Sequence, residues 1–155
     1  MKREERRIKS PIRKIIIATD SFKGSLSAID ACSAVADAVA LEFPDCEVIQ
    51  LPVADGGEGT VDCFAVAMPE ARRCRWTVSG PYGEKLQVQG LVAEGRAVLE
   101  MAACAGLPLV EGRENPAATT TYGVGEMIGQ ALQLGCKSIV LGIGGSCTND
   151  GGAGM

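Results

Sequence analysis

Apolar residues come in short blocks along this chain, and the spacing within each block differs. Lys14 to Thr19 (KIIIAT) is a continuous apolar run rich in β-branched residues, the mark of a strand buried in a parallel sheet. Beyond the polar loop DSFKGSLS, Ser27 and Asp30 are spaced as a capping box, which predicts a helix starting near Ala28. Ile29, Cys32, Val35, Ala36, Val39 and Phe43 share one face of that helix, and Pro44 ends it. Glu47 to Val53 (EVIQLPV) reads as a second strand; the loop ADGGEG and a short helix from Thr60 to Met68 follow. Strand, helix, strand, helix is the pattern of a doubly wound sheet that starts out parallel.

After Pro69 the period changes. Arg73 to Ser79 and Lys85 to Leu91 alternate on either side of the turn SGPYGE, which predicts a hairpin, and Arg96 to Met101 adds a third strand. This shift suggests a domain boundary near residue 70, with residues 14–70 opening one α/β domain and 71–155 opening a second. A loop carrying Pro108, Gly112 and Pro116 leads to three threonines, Thr119 to Thr121. A helix is expected from Tyr122 to Leu134, with Thr120 or Thr121 as its N-cap and Gly135 just past its end. Ser138 to Leu141 (SIVL) is a further buried strand, and GIGGSCTNDGGAGM closes the chain.

Composition narrows the chemistry. The 155 residues are 46% hydrophobic and 22% charged, which is globular, and only 4% aromatic, so Ala, Val, Ile and Leu must build the core. A net charge of −4 argues against a nucleic-acid partner, and no apolar run is long enough to span a bilayer. Residues 1–13 are basic and lack the apolar stretch of a secretory signal, so they read as a disordered extension. The seven cysteines are widely spaced with no C-x-x-C, which suits free thiols in a reducing cytoplasm better than a metal site or disulfide framework. There is no histidine, which removes imidazole acid–base chemistry and leaves carboxylates, lysine, hydroxyls, backbone dipoles or a metal.

Three loops share one design: IIIATDSFKGS, LPVADGGEGT and LGIGGSCTNDGG each follow an apolar strand and carry an aspartate, Asp20, Asp55 and Asp150. Ligands of open α/β sheets bind at such strand ends. Glycines let backbone N–H groups approach phosphate oxygens, helix starts add partial positive charge, and carboxylates hold Mg²⁺ or accept a proton from an attacking hydroxyl. Lys23 is placed to neutralise phosphate charge. Any one of the aspartates alone suits a turn, the glycines suit tight turns, and the threonines suit a helix cap. The three aspartates together point to an anion or phosphate site that depends on Mg²⁺.

At these residues the chain resembles the N-terminal part of the bacterial type I glycerate kinases. The matching segments are IIIATDSFKGSLSA, LPVADGGEGTVD, VLEMAACAGLPLV, NPAATTTYGVGEMI and LGIGGSCTNDGGAGM. Thr19 departs from the proline usual in the family, and Cys147 from its alanine. The resemblance implies a Rossmann- or flavodoxin-like parallel-sheet domain interrupted by a second α/β domain, both incomplete here, and hence an N-terminal piece of a longer protein. It also implies ATP-dependent, Mg²⁺-assisted phosphorylation of glycerate in the cytoplasm. Carried over by position, the catalytic candidates are Asp20, Lys23 and Asp150, with Asp150 or Asp20 as base or Mg²⁺ ligand. The substrate- or phosphate-binding candidates are Ser21, Asp55, Gly56, Gly57, Glu58, Thr119, Thr120, Thr121, Gly144, Gly145, Ser146 and Asn149, with the Gly144–Ser146 backbone as a phosphate nest. Their division between ATP and glycerate stays open. The alternative reading is a non-catalytic anion- or metabolite-binding module.

Overall fold

A computed structural model describes residues 12–155, so most of the basic extension lies outside the described residues. The chain falls into two compact units divided between Val53 and Ala54.

The first unit holds β1 (Lys14–Ile17), α1 (Ala28–Glu42) and β2 (Glu47–Gln50). The strands pair in parallel, Lys14 opposite Glu47 and Ile17 opposite Gln50. The ladder continues past β2 through the Leu51 N–H to the Ile17 carbonyl and the Val53 N–H to the Thr19 carbonyl, at 2.8 and 3.0 Å. Ser27 caps α1 as its spacing predicts: its Oγ accepts the Asp30 N–H at 3.1 Å and donates to Asp30 Oδ2 at 2.6 Å. The expected apolar face needs correction. Ala28, Ala31, Cys32 and Ala36 are the buried residues of α1, whereas Ile29 and Val35 remain 37% and 43% exposed. Two short strands make a narrow platform, and small side chains let the helix settle closely on it around Ile17, Ile15 and Val48. A broader apolar stripe overhangs that platform.

The second unit is a four-stranded sheet in the order β3 (Arg72–Ser79), β4 (Lys85–Ala93), β5 (Arg96–Glu100), β6 (Ser138–Gly142). The β3–β4 and β4–β5 pairs are antiparallel, giving the expected hairpin and third strand. β6 returns parallel to β5, with Arg96 opposite Ser138 and Glu100 opposite Gly142. The crossover contains α3 (Ala102–Ala105), a 3-10 turn (Leu107–Val110) and α4 (Tyr122–Gln133).

Alternation along the strands sends side chains to two opposite layers. Trp76, Val78, Val88, Ala97 and Leu99 pack with Cys104, Val124, Met127 and Ala131 in the main core. Leu91 and Val98 face the other way, against Val61 of α2 (Thr60–Ala67). The helix after ADGGEG therefore packs on β4 and β5, and the division at 53/54 falls ahead of the change in period at Pro69. Gly90 makes room for the indole: a β-carbon there would lie 2.6 Å from Trp76 Cζ3. None of the seven cysteines, all among the described residues, is joined in a disulfide, and six are buried. No helix among the described residues is long and apolar enough to cross a membrane.

Candidate functional site

The loop after β1 turns back on itself. The Phe22 N–H reaches the Leu26 carbonyl at 2.9 Å, and Gly24 at the bend takes a φ of 75°. Lys23 is exposed on this turn, while Asp20 and Ser21 are half-buried at the strand end. Asp20 Oδ1 accepts the Ser21 N–H at 2.6 Å.

In the second unit two of the glycine-bearing loops cross. Gly56, at a φ of 92°, presents its carbonyl to the Gly144 N–H at 2.9 Å. A β-carbon on Gly142 would stand 2.5 Å from that carbonyl oxygen, and one on Gly144 would stand 2.7 Å from the Gly57 nitrogen. These glycines thus let two backbones touch, a requirement as strict as close approach to a phosphate. Asp55 is exposed and folds over its own loop, Oδ1 accepting the Gly57 N–H at 2.9 Å. Glu58 is exposed beyond it.

The threonine run and the closing loop are laced together. Thr119 Oγ1 donates to the Cys147 carbonyl at 2.9 Å, and Thr148 Oγ1 donates to the Thr119 carbonyl at 2.8 Å. The Asn149 N–H reaches the Pro116 carbonyl at 3.1 Å. Asp150 joins the two segments. Its Oδ2 accepts the Thr121 N–H at 2.7 Å and Thr121 Oγ1 at 2.8 Å, with longer contacts from the Gly154 N–H and Thr120 Oγ1 at 3.3 and 3.4 Å. Its Oδ1 accepts the Gly152 N–H at 2.9 Å. This ring of donors, led by the Thr121 N–H, holds the carboxyl down at about 2. Thr121 does sit at the N-cap of α4, but its hydroxyl is turned to Asp150 and makes no cap hydrogen bond; Thr120 Oγ1 accepts the Tyr122 N–H instead, at 3.2 Å. Ser146 is exposed, its Oγ turned to Thr148, and Gly145 beside it has a φ of 72°. Burial pushes the Cys147 thiol up, which makes it a poor nucleophile.

One carboxylate at a strand end is absent from the sequence-based candidates. Glu100, the last residue of β5, is half-buried, and its Oε2 accepts the Val61 N–H from the first turn of α2 at 2.9 Å. Burial raises its pKa, the Val61 and Gly59 N–H groups oppose the rise, and the charges of Asp62 and Glu58 add to it. The signal was a lone acid ending the apolar strand RAVLE.

Both oxygens of Asp150 face N–H or O–H donors, the surroundings of an anion already satisfied. Among the described residues no cluster of three Asp, Glu or Cys side chains could hold a cation.

A profile of the glycerate kinase family matches residues 15–155. The chain is 49% identical over 145 residues to glycerate 2-kinase of Escherichia coli K12, covering 92% of this chain and 38% of that relative. It is 51% identical to glycerate kinase of Bacillus subtilis 168, with the same shares. A Salmonella typhimurium LT2 crystal structure assigned to glycerate kinase 2 superposes with a TM-score of 0.76 at 42% identity, over 93% of this chain and 39% of that one. The α/β architecture is that of this structure, and the chain belongs to the glycerate kinase family. It spans about 38% of the length of these two curated relatives.

Proposed function

We propose that these residues supply the N-terminal part of a glycerate kinase, which at the full length of its relatives transfers a phosphoryl group from ATP to glycerate in the cytoplasm. The identity of 49–51% over 145 residues to these two relatives carries this reading. The name of the Escherichia coli relative points to the 2-hydroxyl as acceptor.

Phosphoryl transfer needs positioning and electrostatic stabilisation, and it runs without histidine. Lys23, exposed on its turn, contacts a phosphate or carboxylate oxygen. Asp20 is the carboxylate for the acceptor hydroxyl, with Oδ1 engaged by the Ser21 N–H. Mg²⁺ is held chiefly by phosphates and water with one or two carboxylates, and Asp20 is the residue here that fits such a part; the ion would neutralise phosphate charge. Asp150 takes a different role from the one its loop suggested. A carboxyl held at about 2 is a weak base at neutral pH, so Asp150 positions the threonine run and closing loop. The Gly144 N–H is engaged by Gly56, which leaves the backbone of Gly145 and Ser146 as the phosphate contact.

The test is a coupled assay of the full-length protein with ATP, Mg²⁺ and D-glycerate, with ³¹P NMR of the product. Phosphoglycerate formation is expected, and the spectrum separates the 2- from the 3-isomer. Binding of glycerate or ATP without turnover would sustain the binding-module reading instead.

A further inference from the structure

Glu100 closes a circuit through the second unit. Its backbone lies in register with Gly142, and the Met101 N–H beside it binds the Gly142 carbonyl at 2.8 Å. Gly142 abuts the Gly56 carbonyl, which in turn accepts the Gly144 N–H. From Gly56 the chain runs into α2, where the Val61 N–H returns to Glu100 Oε2. The first N–H groups of a helix have no partner within it, and they are the groups that bind phosphate at many helix starts. Here the chain's own carboxylate takes one of them. Gly59 at the N-cap has a φ of 90° and no side chain to cap with, so the acid comes from another strand.

We propose that Glu100 is a positioning residue: it holds the start of α2, and with it the ADGGEG loop, against the ends of β5 and β6. The consequence for catalysis rests on the kinase reading above; the consequence for the loop does not. What matters is an acceptor oxygen at the right reach, so charge and reach can be separated. Glu100→Gln keeps the reach and loses the charge. Glu100→Asp keeps the charge and is one methylene too short to reach Val61.

The experiment measures amide hydrogen exchange and steady-state kinetics on the full-length protein and these two variants. In Glu100→Asp, exchange across residues 56–62 should accelerate by about tenfold or more while strands β3 to β5 stay protected. In Glu100→Gln, protection should stay within about threefold of the parent. Where glycerate phosphorylation is present, kcat/KM should follow the same order, falling by about tenfold to a hundredfold for Asp and little for Gln. Unchanged exchange at 56–62 in Glu100→Asp, or a loss in Gln equal to that in Asp, would overturn the proposal. An inactive parent protein with the predicted exchange pattern would overturn the kinase reading and leave the role of Glu100 standing.

Discussion

The Gly142 Cα and the Gly56 carbonyl meet so closely that no side chain fits between them: a β-carbon on Gly142 would lie 2.5 Å from the oxygen. Neither residue can move alone. Gly142 is locked in the β5–β6 ladder, and Gly56 has a left-handed φ of 92° and a hydrogen bond to Gly144.

Gly142→Ala should therefore push the two loops apart. The expected cost is about 1–3 kcal/mol, the usual penalty of forcing atoms into a packed site. Chemical denaturation of the variant and its parent checks this. A loss below about 0.5 kcal/mol would mean that the loops separate freely.

Asp150→Asn tests the positioning role. Both carboxylate oxygens face donors, so an amide –NH₂ must meet either the Gly152 N–H or the Thr121 donors. One donor then loses its acceptor, which costs about 1–3 kcal/mol. Activity of the full-length protein should fall with it, and the amides of Thr121 and Gly152 should lose exchange protection. If Asp150 were only a turn residue, asparagine would substitute almost freely.

The same carboxylate predicts an acid transition. Its folded pKa of about 2 lies below the ordinary 3.8, so the ionised form is favoured by folding. Its stabilising contribution is fully present above the ordinary value and is lost as pH falls through the folded one. The thermal midpoint should drop between these two pH values, and more in the parent than in Asp150→Asn. Equal slopes would remove Asp150 as the cause.

Lys23→Ala in the full-length protein should lower kcat/KM by about two to three decades with the fold intact, if the lysine stabilises phosphate charge in a closed site. A loss under about threefold would make Lys23 a bystander.

Much of the fold was legible because its signals are local. The box of Ser27 and Asp30, the punctuation of Pro44 and Gly135, and the alternation of β3 and β4 each depend on residues close in sequence. The misjudged face of α1 shows the limit, since periodicity counts apolar side chains but not the width of sheet beneath them. The site was legible only as three loops and a threonine run. That Asp150 would spend its oxygens on Thr121, and that Glu100 would reach Val61 from 39 residues away, follows from the β5–β6 register and the crossover between them. No spacing rule encodes such a meeting. In sequence, glycine-rich loops suggest room for a phosphate or simply tight turns, whereas Gly56 and Gly142 make room first for each other.

Among the described residues, no ion pair with lysine or arginine involves Glu100 or Asp150; backbone amides and hydroxyls answer both acids. Mobile counter-ions readily screen exposed pairs of opposite charge, such as Lys14 with Glu47, but they do little to a short hydrogen bond from a fixed amide. The loop scaffold should then hold its shape across a wide range of ionic strength. Within these residues, an effect of salt would then report on exposed charges such as Lys23 and the Lys14–Glu47 pair rather than on the frame behind them.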